Sequence, residues 1–144
     1  MKKVSVIVAC RNEEKFINQC LVSLLDQDYP KELIEIIVVD GMSTDKTFDV
    51  ANSFRESHQN VKLEVNLNRH KYSGLNQVIP NLKSDYVAIA DAHSTYPNDY
   101  IRKCVSWMDV ADNVGGKMVF TPRSKGFLSK AMTFALTVPF SIFK

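Results

Sequence analysis

Asp91 and His93 stand two residues apart at the end of an apolar run, in "DYVAIADAHSTYP" (85–97). On extended backbone, residues at that spacing project to the same side, so both side chains can face one ligand. A carboxylate and a neutral imidazole make a partial shell for Mn²⁺ or a similar divalent ion. The competing reading is that Asp91, Ser94 or Thr95 caps the next helix, with Pro97 in its first turn. Chemistry alone favours the cap, and position must decide. Asp40, followed by Gly41, can hydrogen-bond a base edge or a ribose hydroxyl, or can serve a tight turn. Arg69, His70 and Lys71 precede a helix start near Ser73 and Gly74, an arrangement suited to a diphosphate and equally to a solvated charge run. Gly115 and Gly116 interrupt "NVGGKMVF" (113–120), where a ligand or another backbone must come close if the segment is a strand, and Lys117 follows them. Ser43, Thr44, Asp45 and Thr47 read as turn and cap residues.

The elements that must position these groups alternate in type. "KVSVIVA" (3–9) and "IEIIVVD" (34–40) are β-branched and apolar on both faces, as strands covered by helices on both sides require. Phe16, Ile17, Cys20, Leu21, Leu24 and Leu25 recur between them at helical spacing, ending before Pro30. A helix over 44–57 with Phe48, Ala51 and Phe54 inward, a strand over 61–65, and a helix over 73–82 shortened or kinked by Pro80 follow. Then come a strand over 85–91, a helix over 98–109 and a fifth strand over 113–120. Strict alternation predicts right-handed βαβ units and a mainly parallel sheet, an α/β Rossmann-like domain with helices on both faces. Ligands bind beyond the carboxyl ends of such strands. The segments there are "CRNEE", "DGMSTDKT", "NLNRHKYSG" and "DAHST", so the candidate polar residues gather on one rim, and that placement turns the preference at Asp91 and His93 toward a ligand pair.

Composition narrows the function classes. The chain is 45% hydrophobic and 24% charged, the profile of one globular domain. Its formal net charge of +2 and the lack of any Lys/Arg run exclude a nucleic-acid tract. Cys10, Cys20 and Cys104 fall within predicted strands and helices with no paired spacing, which predicts reduced thiols and a cytoplasmic protein. "MKKVSVIVAC" runs directly into "RNEEK" and reads as a strand, not a signal peptide. No GxGxxG follows a strand and no GxxxxGK[ST] occurs, against a dinucleotide dehydrogenase and a P-loop nucleotidase.

Four segments in order, "VSVIVACRNEEKFINQCLVSLLDQDYP", "IEIIVVDGMSTDKTFDVA", "SGLNQVI" and "DYVAIADAHSTYPNDYI", resemble the family 2 inverting glycosyltransferases of the GT-A fold, over roughly residues 3–120. "DAH" with "YPNDY" and "NVGG" is most similar to the subgroup that builds exopolysaccharides of the succinoglycan type. The resemblance implies that Ala9, Arg11 and Glu13 hold the nucleoside and that Asp40 contacts base or ribose. Many members carry two aspartates at that point; here the second is Gly41. Asp91, Ala92 and His93 match the family's Asp-x-Asp motif, with Asp91 near ribose and metal and His93 a direct metal ligand. Lys117, Arg69 and Lys71 are candidates for the diphosphate. The implied cofactor is Mn²⁺ or Mg²⁺, and the implied partners are a nucleoside-diphosphate sugar, UDP-sugar first, and a saccharide or lipid-linked acceptor.

The implied reaction is a single inverting displacement at the cytoplasmic face of a membrane, with peripheral membrane contact in the full-length protein. Residues 1–120 are then the donor-binding domain. The segment over 121–144, apolar apart from Arg123, Lys125, Lys130 and Lys144, is expected to be helical and to lead to an acceptor half. The catalytic base is expected beyond Lys144, because Asp109 and Asp112 match no base motif. Two other classes are a non-catalytic sugar-nucleotide binding module and a nucleotidyltransferase; the latter is disfavoured because no Gly-rich, basic loop follows the first strand.

Overall fold

A computed structural model describes residues 1–122, 126–127 and 130–133. The chain divides into two units, Met1–Asp112 and Asn113–Lys144.

In the first unit, the β-branched runs form four strands: β1 Val4–Cys10, β2 Ile34–Asp40, β3 Val61–Val65 and β4 Tyr86–Ala90. All pair in parallel in the order β3-β2-β1-β4. Between and after them lie α1 Ile17–Leu25, α2 Thr47–Ser57, α3 Lys71–Val78 and α4 Tyr100–Trp107. The strand order explains the layers. Going from β1 to β2 to β3 the chain moves one way across the sheet, and right-handed crossovers put α1 and α2 on one face; the jump from β3 back to β4 runs the other way and puts α3 on the opposite face. Val4, Val6, Val8, Ile36 and Val38 accordingly pack with Ile17, Leu21, Leu24, Ala51 and Ile101, and Ile7, Ile37 and Val39 pack with Leu75 and Val78.

The central strands β1 and β2 are buried on both faces, as their composition requires, while β3 and β4 form the edges and expose alternate residues. Pro80 acts as expected: α3 stops at Val78 and passes into a 3₁₀ turn, Ile79–Asn81. Gly74 lets α3 close onto the sheet, since a Cβ there would meet Val39 Cγ1 at 2.9 Å. Three expectations need correction. Phe48 is exposed, and the inward face of α2 is Thr47, Ala51 and the half-buried Val50 and Phe54. The helix after β4 begins at Tyr100, well beyond the residues read as its caps.

Residues 113–120 form no strand. A strand exists only through a hydrogen-bonded neighbour, and this Gly-Gly segment has none among the described residues. It is largely exposed, with Met118 and Val119 in solvent. Most of 121–144, expected to be helical, lies outside the described residues; 130–133 are helical. No helix among the described residues is long and apolar enough to cross a membrane.

Candidate donor-binding site

The four segments that follow the strands lie on the carboxyl rim of one parallel sheet, and hydrogen bonds knit three of them together. From the first loop, the Asn12 N–H donates to Ser43 Oγ (3.0 Å), the Glu13 N–H to Thr47 Oγ1 (2.7 Å) and the Glu14 N–H to Asp45 Oδ2 (3.2 Å). In return the Thr44 N–H donates to Asn12 Oδ1 (2.8 Å) and the Lys46 N–H to Glu14 Oε2 (3.1 Å). Ser43, Thr44, Asp45 and Thr47 are therefore turn residues, as read, and also the bolts between two loops. Desolvation raises the Asp45 carboxyl, but hydrogen bonds from Thr47 and Glu14 outweigh it and hold the group below the usual carboxylate range.

Asp40 is buried at the end of β2, its carboxylate accepting from the Ser43 N–H (2.9 Å) and the Ser43 hydroxyl (2.5 Å). The turn role is thus realised, and a carboxylate so fixed is pre-oriented at the rim. Gly41 has a local cause. A Cβ there would lie 3.2 Å from the Arg69 carbonyl oxygen and 3.3 Å from that of Cys10, so the absent side chain is what lets the loops after β1, β2 and β3 converge. Asn66, buried and unremarked in the sequence, holds the third loop: its N–H donates to the Asp40 carbonyl and its Nδ2 to the His70 carbonyl (both 2.8 Å). Among the described residues the non-glycine positions with positive φ are Asn12, Met42 and Arg69, at 56°, 58° and 65°. One falls on each of these three loops, so the departures from relaxed backbone cluster where a ligand is expected.

The fourth loop carries Asp91, Ala92 and His93. Neither Asp91 nor Ser94 nor Thr95 caps α4, whose start at Tyr100 removes the capping alternative. Instead the Asp91 carboxylate holds a cation, with Lys71 Nζ 2.6 Å from its Oδ1. Ala92 is buried and His93 exposed. The loop is set by α1. The Asp91 N–H donates to the Tyr96 hydroxyl (2.8 Å), the Tyr96 N–H to Ser23 Oγ (3.1 Å), and the Cys20 thiol points at the Asp91 carbonyl (3.6 Å). Gln27, 7% exposed, donates from Nε2 to the Ser23 and Pro97 carbonyls and accepts from the Ile101 N–H at Oε1. Burial pushes the Tyr96 phenol and the Cys10 and Cys20 thiols up to about 12, so all three stay protonated at neutral pH.

Gln27 and Tyr96 escaped the sequence reading. The signal was present for Gln27, because the apolar stripe Ile17, Cys20, Leu21, Leu24 continues at helical spacing onto position 27.

The structure brings the sequence candidates together unevenly. Glu13, Asp40 and Arg69 lie on the interlocked loops, Ala9 stands one residue before β1 ends, Arg11 is exposed just after it, and Lys71 reaches Asp91. Lys117 is exposed in the second unit. As a divalent-ion site, Asp91 and His93 supply one hard oxygen donor and one nitrogen donor, and the Lys71 contact shows the carboxylate already aimed at positive charge. No group of three or more His, Cys, Asp or Glu poised for a metal occurs among the described residues, so Asp91 and His93 by themselves offer only a partial shell.

The glycosyl transferase family 2 model matches residues 5–143. The chain is 38% identical over 104 residues to a dolichyl N-acetyl-α-D-glucosaminyl phosphate 3-β-D-2,3-diacetamido-2,3-dideoxy-β-D-glucuronosyltransferase of Methanococcus voltae, a match covering 71% of this chain and 32% of that protein. Among solved structures it resembles the mannosyltransferase PcManGT of Pyrobaculum calidifontis in complex with GDP-Man and Mn²⁺, with TM-score 0.70 and 32% identity over 74% of this chain and 32% of the other. It also resembles S. aureus TarS 1-349 in complex with UDP-GlcNAc, with TM-score 0.65 and 26% identity over 86% and 38%. In each case the chain spans well under half of its relative. The parallel β3-β2-β1-β4 sheet flanked by helices is a Rossmann-like GT-A domain, and the chain belongs to glycosyltransferase family 2.

Proposed function

We propose that this chain is the donor-binding part of an inverting glycosyltransferase that moves a sugar from a nucleoside-diphosphate sugar to a saccharide or lipid-linked acceptor. The carrier of first choice is UDP, and the setting is exopolysaccharide assembly of the succinoglycan type, or cell-envelope assembly, at the cytoplasmic face of a membrane. The observation that carries the reading is the rim itself, where strand-end loops interlock around a buried Asp40 and the Lys71–Asp91 contact. The UDP-GlcNAc complex of TarS and the GDP-Man and Mn²⁺ complex of PcManGT support it.

In this reading residues 1–120 bind the donor and 121–144 lead to the acceptor half. Ala9, Arg11 and Glu13 frame the nucleoside, and Asp40, held by Ser43, meets base or ribose. Arg69 and Lys71 balance the diphosphate charge; such pre-set cations stabilise a leaving group as its charge develops. Asp91 and His93 would hold Mn²⁺ or Mg²⁺, which when bound supplies Lewis-acid stabilisation of the same leaving group. The acceptor hydroxyl attacks from the opposite face of the sugar, its proton taken by a carboxylate base outside the residues assigned here. Calorimetric titration of UDP, GDP and dTDP into this chain, with and without Mn²⁺, tests the reading. UDP binds more tightly with Mn²⁺, and His93→Ala loses most of that gain while keeping its circular dichroism. Equal binding with and without metal, or an unaffected His93→Ala, removes the metal site from the proposal.

A further inference from the structure

Lys71 opens α3 and Asp91 follows β4, 20 residues apart in sequence, yet Nζ and Oδ1 are 2.6 Å apart while both side chains stay more than two-fifths exposed. The carboxylate assigned to a divalent ion is thus already neutralised by a side chain. We propose that Lys71 is the resident counter-cation of Asp91 in the nucleotide-free protein, and that its transfer from Asp91 to an incoming diphosphate couples nucleotide binding to divalent-cation binding. The proposal rests on the reading of Asp91 and His93 as cation ligands.

The physical case is one of competition for a single charge. A bare divalent ion approaching the rim meets a carboxylate whose charge is spent on an ammonium, with the His93 imidazole as the other protein donor in this reading. Among the described residues no cluster of three acidic, His or Cys groups lies elsewhere to draw it. The ion must displace the ammonium or bind beside it against like-charge repulsion. A nucleoside diphosphate offers the ammonium more negative charge and more oxygens than one carboxylate does. A lysine head on a four-carbon stem, with three rotatable donors, can follow it without backbone movement. Once Lys71 has moved, Asp91 would be free to hold the ion beside the diphosphate. Each ligand improves the other, and linkage makes the factor equal in both directions. The simpler account, in which Lys71 only adds positive charge for phosphate, differs in the sign of one effect. It leaves bare Mn²⁺ affinity untouched when Lys71 is removed, whereas a resident counter-cation predicts that affinity to rise.

The test follows free Mn²⁺ by electron paramagnetic resonance at low ionic strength, with and without UDP. It uses the 144-residue chain as wild type, Lys71→Met and Lys71→Arg, with Lys71→Gln as the alternative should the Met variant melt early. Exposed ion pairs are weak, so the expected rise in bare Mn²⁺ affinity for Lys71→Met is modest, about threefold. Its UDP affinity without metal falls, and the ratio of Mn²⁺ affinities with and without UDP shrinks by at least that threefold. Lys71→Arg keeps the charge and restores the wild-type ratio. Bare Mn²⁺ binding that is equal to wild type or weaker in Lys71→Met and Lys71→Gln overturns the counter-cation role while leaving the donor site standing. A wild-type chain that binds no Mn²⁺ even with saturating UDP removes the cation-site reading, and this proposal with it.

Discussion

Replacing Gln27 by Met isolates the contribution of one buried amide to the placement of the Asp91 loop. Methionine nearly matches glutamine in length and volume, so packing is retained while three hydrogen bonds are lost. Those bonds run to the Ser23 and Pro97 carbonyls at 2.9 and 2.8 Å and from the Ile101 N–H at 2.9 Å. Ile101 is 2% exposed, so its N–H has no water to turn to. A neutral hydrogen bond nets about 1 kcal/mol, and an orphaned buried donor costs about 1–3 kcal/mol. The expected loss is therefore about 3 kcal/mol, a large share of the 5–15 kcal/mol typical of a domain, and roughly 10 °C in melting temperature. Urea denaturation followed by circular dichroism measures it, and hydrogen exchange at the Ile101 amide locates it. A loss below about 1 kcal/mol with Ile101 still protected would refute the claim that Gln27 clamps α1 to the 91–101 segment.

Further outcomes follow from packing and titration. Gly74→Ala sets a Cβ 2.9 Å from Val39 Cγ1; the overpacking of about 1–3 kcal/mol outweighs the helix-propensity gain of about 1 kcal/mol, and thermal melting shows a net loss. A stabilised variant would mean that Val39 yields freely. Cys10, its thiol pushed up to about 12 by burial and then by Asp40 and Glu13, holds about 10⁻⁴ of its population as thiolate at pH 8. Iodoacetamide at that pH therefore labels the half-buried Cys104 before Cys10 or Cys20, as peptide mass spectrometry reads out. The same shift fixes a sign for stability. The folded state holds these protons more tightly than the unfolded chain, so the contribution is complete below about pH 9 and is lost as pH rises toward 12. Urea midpoints that stay flat from pH 9 to 11 would contradict it.

Much of the fold is legible in the sequence because strands buried on both faces need β-branched runs. The bounds expected for β2 and β3 coincide with those found, and β1 and β4 differ by one residue at each end. The rim was legible through topology, since the polar segments follow the strands in a parallel sheet. What stayed hidden depends on contacts distant in sequence. Rim placement turned the preference at Asp91 away from a cap, but what excludes the cap is the start of α4, where Gln27 holds the Ile101 N–H from 74 residues away. Phe48 looked inward because its spacing from Ala51 fits a helix face, but Thr47 takes the buried place by accepting from Glu13 and donating to Asp45. Residues 113–120 look like a strand by composition, and composition says nothing about whether a partner strand exists.

The bonds between residues 12–14 and 43–47 have a consequence for protein engineering. Five of them reach across 31 to 34 positions and use backbone N–H groups as donors, so neither loop holds its shape alone. A graft that imports only the second loop from a relative, in order to alter nucleotide preference, leaves Asn12, Glu13 and Glu14 facing foreign acceptors. The two loops form one cassette, to be exchanged together or left in place.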